Sequence, residues 1–284
     1  MTSHRDTFHG AAGNRLAADV YGAGGRPVLL LHGGGQTRHA WRRTAVEIAR
    51  AGMTAYAVDQ RGHGDSEWVA AYAFEDFAAD IAALATAIAQ RNGAAPVVIG
   101  ASLGGISSLL AAGNAKEPIF AALVLVDITP RVDLGGVAKV QGFMRTHARD
   151  GFATMEEAAD AVAAYLPHRP RPRSHEGLKK NLRLHADGRW RWHWDPRFLD
   201  GRRSVNGDRS ALETKLLAAA RRLTIPAMLV RGGSSELVHE EHAKEFLTLV
   251  PHARYADVGG ARHMVAGDRN DQFAAAILQF LNDL

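Results

Sequence analysis

The chain of 284 residues contains no cysteine. That excludes a disulfide framework, a thiolate metal site and a cysteine nucleophile. It also lacks any apolar run near the ~20 residues needed to span a bilayer. The longest such runs, 28–31 and 119–126, are far shorter, so no membrane partner is expected. The opening Met1-Thr2-Ser3-His4-Arg5-Asp6 has no apolar signal-peptide core, so a cytoplasmic protein is expected. No internal repeat or low-complexity tract is visible. What is present is ordinary for a soluble globular enzyme: 46% hydrophobic and 23% charged residues.

Charge is unevenly spread. The formal net charge is +4, yet residues 169–222 hold fifteen Lys/Arg against six Asp/Glu. That segment carries a balance of +9 and the remainder −5, which suggests a separate structural unit. Trp190, Trp192 and Trp194 alternate with basic residues there, but no nucleic-acid module accompanies them. A small-molecule substrate is expected, and nucleic acid is not. Oligomeric state is left open.

Short apolar, β-branched runs alternate with helical patterns, predicting an α/β fold with a mostly parallel sheet flanked by helices. Strands are expected at 16–21, 27–32, 54–59, 96–101, 121–127, 225–231 and 254–258. The run Val28-Leu29-Leu30-Leu31 suits a central strand buried on both faces. Phe74, Phe77, Ile81, Leu84 and Ile88 recur at helical spacing, as do Phe273, Ile277, Phe280 and Leu281. After Pro130 the alternation stops until Ile225. This interval reads as helices without strands, with candidates at 155–165, 178–184 and 211–223, and Pro167, Pro170 and Pro172 breaking the pattern between the first two. A core of 1–130 and 224–284 with a helical cap at 131–223, inserted after the strand ending at Asp127, is the simplest organisation.

Gly100-Ala101-Ser102-Leu103-Gly104 fits Gly-x-Ser-x-Gly where a strand passes into a helix. The serine of such a motif sits on a sharp, strained turn that needs small neighbours, and it projects at a helix N-terminus. His32-Gly33-Gly34-Gly35 follows a buried strand directly. The Gly34 and Leu103 N–H groups together would form an oxyanion hole, while His32 is expected to support the loop.

These segments, together with Asp59-Gln60-Arg61-Gly62-His63-Gly64-Asp65-Ser66 and Arg262-His263-Met264, occur in the order found in the α/β-hydrolase superfamily, which the chain resembles. The resemblance covers 16–130 and 225–284 and leaves the helical interval where such proteins carry a cap. It implies Ser102 as nucleophile and His263, among fourteen histidines, as general base. It gives 59–66 the role of a conformational turn. The acid departs from the commonest pattern. Ser235 stands at the usual aspartate position, with Glu236 one residue later. Asp127, after the strand that follows the nucleophile helix, is the other carboxylate, as in certain small-ester esterases. Asp127 is the first choice and Glu236 the alternative.

The expected activity is hydrolysis of a small ester or related acyl compound through an acyl-enzyme on Ser102, with no metal or organic cofactor. A carbon–carbon bond hydrolase or cofactor-free perhydrolase could use the same residues, and a non-catalytic receptor-like homologue is the reading of a different class. His239-Glu240-Glu241-His242 lacks a third ligand and reads as a solvated helix face rather than a metal site. The tryptophans of 190–194 either line a pocket or pack the cap onto the sheet.

Overall fold

The computed structural model describes residues 2–169 and 174–284, so Pro170 and Pro172 lie outside the described residues. Ten strands are found among these: β1 (Ser3–His9), β2 (Arg15–Tyr21), β3 (Pro27–Leu31), β4 (Thr54–Val58), β5 (Val97–Ala101), β6 (Ala122–Val126), β7 (Leu182–Leu184), β8 (Trp190–Trp192), β9 (Ala227–Gly232) and β10 (Arg254–Val258). The helices are α1 (Arg42–Arg50), α2 (Phe74–Asn92), α3 (Leu103–Asn114), α4 (Leu134–Thr146), α5 (Met155–Tyr165), α6 (Arg197–Asp200), α7 (Arg209–Arg221), α8 (Glu240–Leu249), α9 (Val265–Asp268) and α10 (Asn270–Asn282). None is long and apolar enough to cross a membrane.

Eight strands form one sheet in the order β1-β2-β4-β3-β5-β6-β9-β10. β1, β2 and β4 pair antiparallel, and every pairing from β4 to β10 is parallel. This is the mostly parallel, doubly covered α/β sheet expected. Because side chains alternate along a strand, the apolar run of β3 feeds two cores. Leu29 and Leu31 pack with Ile81 and Leu84 of α2 and Leu109 of α3. Val28 and Leu30 face Ile48 of α1 and Phe273 and Ile277 of α10. Each fully buried aliphatic side chain contributes about 1.5–3 kcal/mol, so the sheet centre is the most strongly held part of the molecule.

Three points differ from the sequence expectations. β1 was not anticipated, because Phe8 alone of its seven residues is buried and an edge strand of that kind has no apolar signature. The interval after Pro130 is not strand-free: β7 and β8 form an antiparallel hairpin, Leu182 opposite Trp192. The helix expected at 178–184 is instead a 3₁₀ segment, His175–Lys180, followed by β7. Pairing through Leu182 overrides the weak helical spacing of Leu178 and Leu182.

α4, α5, the hairpin and α6 lie over the carboxyl ends of the parallel strands, with Met144, Phe152, Trp192, Trp194 and Phe198 sharing a buried cluster with Leu103. α7 behaves differently. Its Leu216, Ala219 and Ala220 join the cluster of Leu109 and Leu110, and a Cβ at Gly113 would stand 2.3 Å from that of Ala219. Its buried face therefore belongs to the core layer.

Among the described residues, ion pairs between 131–223 and the rest run with one polarity, whereas within that stretch Arg131 meets Glu213 and Arg149 meets Asp200. Arg183 meets Asp65, Arg203 meets Asp76, Lys215 meets Glu75 and Arg169 meets Asp268. In each the cation is on the basic segment and the carboxylate is outside it.

Candidate active site

Three features of the sheet's carboxyl edge converge. Ser102 follows β5, Asp127 follows its neighbour β6, and His263 lies in the loop after β10. Ser102 has φ 46° and ψ −111°, left-handed backbone for a residue with a side chain, stored at the turn from β5 into α3. The turn closes only because its flanks are glycine. A Cβ on Gly100 would lie 2.6 Å from the Gly104 backbone, and one on Gly104 would lie 2.5 Å from the Leu31 carbonyl oxygen. Among the described residues the Ser102 hydroxyl has no hydrogen-bond partner, His263 included, and it faces the same cavity as His263. A catalytic serine–histidine contact of this kind commonly tightens only when substrate is bound.

Asp127, also in left-handed backbone at φ 49°, is fully buried. Its carboxylate accepts from the Gly232 N–H at 2.9 Å and the Ser235 hydroxyl at 2.5 Å. It also accepts from Nδ1 of His263 at 2.8 Å. Ser235, which stands at the usual aspartate position, therefore braces the carboxylate of Asp127. Glu236 is not brought to His263. Its Oε2 is buried without a partner, and its charge, after burial, helps to push the Tyr165 phenol up to about 12.

The loop after β3 is built to leave one donor spare. The Gly33 N–H donates to Oε1 of Gln36 at 3.1 Å, the Gly35 N–H to Nε2 of His63 at 3.1 Å, and the Gln36 N–H to the Gly33 carbonyl at 3.1 Å. Neither the Gly34 nor the Leu103 N–H has a partner among the described residues. Gln36 and His63 were not singled out from sequence. The i, i+3 relation of Gln36 to Gly33 was the one local signal available for the former.

His32 has the supporting role expected of it. It is fully buried, and its Nε2 accepts the Gln60 N–H at 3.0 Å while Nδ1 donates to the Gly33 carbonyl at 2.8 Å. His63 repeats the arrangement, donating from Nδ1 to the Arg61 carbonyl at 2.9 Å. In both rings Nε2 must accept, so a second proton would break a hydrogen bond. Burial holds His32 down at about 4, and burial with the neighbouring His32 ring holds His63 at about 3. The unfolded chain, with histidines near 6.5, therefore takes up protons that the folded chain refuses. Stability is full above pH 6.5 and falls as the pH drops toward 4 and then 3. The slope is up to about 1.4 kcal/mol per histidine per pH unit. Urea midpoints should fall steeply from pH 7 to pH 5, and a flat profile would exclude the neutral assignment.

The 59–66 stretch is a turn held by buried charge. Asp59 accepts the Arg38 N–H at 2.6 Å and the Asp65 N–H at 2.9 Å and pairs with the Arg38 guanidinium. The stretch touches the cavity loop through His63 and contributes no side chain to the cavity lining.

Ser102 opens into a cavity of about 840 Å³. Its walls include Phe143, Met144, Trp192, Trp194, Phe198 and Leu237. Trp192 and Trp194 both line the cavity and are buried in the cluster that includes Leu103. Trp190 pairs with Phe152 across a bridge instead. His242 accepts the His239 N–H through Nδ1 at the start of α8, and the described residues contain no cluster of three potential metal ligands.

A family model described as the alpha/beta hydrolase fold matches residues 26–269. The chain is 30% identical over 244 residues to Esterase Rv0045c of Mycobacterium tuberculosis, covering 84% of this chain and 76% of that protein. It is 28% identical over 278 residues to a 2-(acetamidomethylene)succinate hydrolase of Mesorhizobium japonicum, covering 94% and 92%. Among solved structures, E-2-(acetamidomethylene)succinate hydrolase superposes with a TM-score of 0.84 at 23% identity over 98% of this chain and all of that one. The M. tuberculosis esterase superposes at 0.76 with 27% identity over 99% and 93%.

Proposed function

The chain is a hydrolase of the α/β-hydrolase family, and from that premise we propose that it cleaves a small ester or related acyl compound through an acyl-enzyme on Ser102. The observation that carries this reading is the convergence of strained Ser102 and Asp127-bonded His263 on one cavity. His263 takes the proton of the Ser102 hydroxyl as Oγ attacks the substrate carbonyl. The oxyanion is received by the free N–H groups of Gly34 and Leu103. Collapse breaks the bond to the leaving alkoxide, which departs as alcohol with the proton from His263. Water, deprotonated by His263, then releases the acid and restores Ser102. Asp127 keeps the proton on Nδ1, so that Nε2 is the basic nitrogen, and stabilises the imidazolium.

No step needs a metal or cofactor. The insertion at 131–223 is proposed as the cap, with α7 lending its inner face to the core. The aromatic and aliphatic walls favour an apolar acyl or alcohol group, consistent with a matched relative named as an esterase. A fluorophosphonate should phosphonylate Ser102 in the folded protein, located by peptide mass, and p-nitrophenyl esters should turn over. Absence of both adduct and turnover would reject the proposal.

A further inference from the structure

His263 owes its ring orientation to Asp127, but its backbone is held from elsewhere. The Arg262 N–H, immediately before it, donates to Oδ2 of Asp268 at 2.9 Å. Asp268 is nearly buried, and its other oxygen receives Nε and Nη2 of Arg169 at 2.6 and 2.5 Å, with Nε2 of His168 at 3.5 Å. Nη2 of Arg169 also reaches the carbonyl of Met264, the residue after His263, at 3.5 Å. The guanidinium has room because residue 267 is glycine: a Cβ there would stand 2.9 Å from Nη2. Arg169 therefore holds the histidine loop directly at Met264, after His263, and through the Asp268 carboxylate at Arg262, before it.

We propose that Arg169 is a positioning residue, which through Asp268 sets the distance of the His263 ring from Ser102 and so couples the seating of the cap to the competence of the base. The inference rests on the reading of His263 as general base. Ser102 has no hydrogen bond to His263 among the described residues, so the final approach of the two groups depends on where the loop carries the ring. A displacement of about 1 Å at such a contact costs on the order of a hundredfold in rate. Arg169 lines the cavity with Ser102 whereas Asp268 does not, which separates action through the loop from direct contact with substrate.

The test compares Arg169→Met, Arg169→Lys, Asp268→Asn and His263→Ala by the rate of fluorophosphonate labelling of Ser102 and by kcat and KM for p-nitrophenyl acetate. Arg169→Met and Asp268→Asn should each slow labelling and kcat by about ten- to a hundredfold with little change in KM. Arg169→Lys, which keeps the charge, should recover part of the loss. Hydrogen exchange of amides 259–268 should quicken in Arg169→Met while the sheet amides stay protected, a readout that survives loss of activity. Wild-type labelling in Asp268→Asn overturns the inference, even where Arg169→Met is slow, since Arg169 would then act on the substrate alone. Wild-type labelling in His263→Ala removes the general-base reading itself, an outcome distinct from the first.

Discussion

Ser102→Ala is expected to lower kcat for a p-nitrophenyl ester by about 10⁵–10⁶-fold while leaving the urea midpoint close to that of the wild type. The methyl group occupies the same left-handed position, so the turn keeps its strain and loses the nucleophile. What remains, some 10³-fold over water, would come from Gly34, Leu103 and binding alone. Stopped-flow traces should show a burst of nitrophenol in the wild type that is absent in the variant. Retention of turnover within a few per cent would mean that another group attacks the carbonyl.

The second large effect separates the two carboxylates. Asp127→Asn preserves an acceptor for the Gly232 N–H but can present its amide N–H to Nδ1 of His263, favouring the wrong tautomer. A loss in kcat of about 10⁴-fold is expected. Glu236→Gln should change kcat little, because that carboxylate has no contact with His263 and sits near Tyr165 instead. Side-by-side steady-state kinetics decide the matter, and loss confined to Glu236→Gln would transfer the role of acid to Glu236.

Ser102 was legible from sequence because everything that defines its setting is local: β5, the glycines and α3 lie within eighteen residues of one another. His263 was legible only through the order of motifs, since nothing in Arg262-His263-Met264 is special in itself. The acid was harder. Whether Asp127 or Glu236 meets the imidazole depends on the register of β6 against β9, where Val126 lies opposite Val230, over a hundred residues away. Side chains separated so far in sequence leave no spacing to read. The same holds for Asp268 and Arg169, ninety-nine residues apart in the chain. Short elements were lost for a different reason: β7 and β8 have three residues each, too few to display a period. The charge asymmetry was visible, but its meaning was not. Four cations of the 169–222 segment meet carboxylates outside it.

That single polarity limits how the molecule can be recombined. If 131–223 is the cap proposed above, a segment grafted in its place from a related protein would need basic side chains along the same edge. An acidic one would set like charges against Asp65, Glu75, Asp76 and Asp268, and the repulsion would disfavour docking before substrate had any say. On the proposed reading of 131–223 as a cap, the unit to transplant is the insertion together with its matching row of carboxylates.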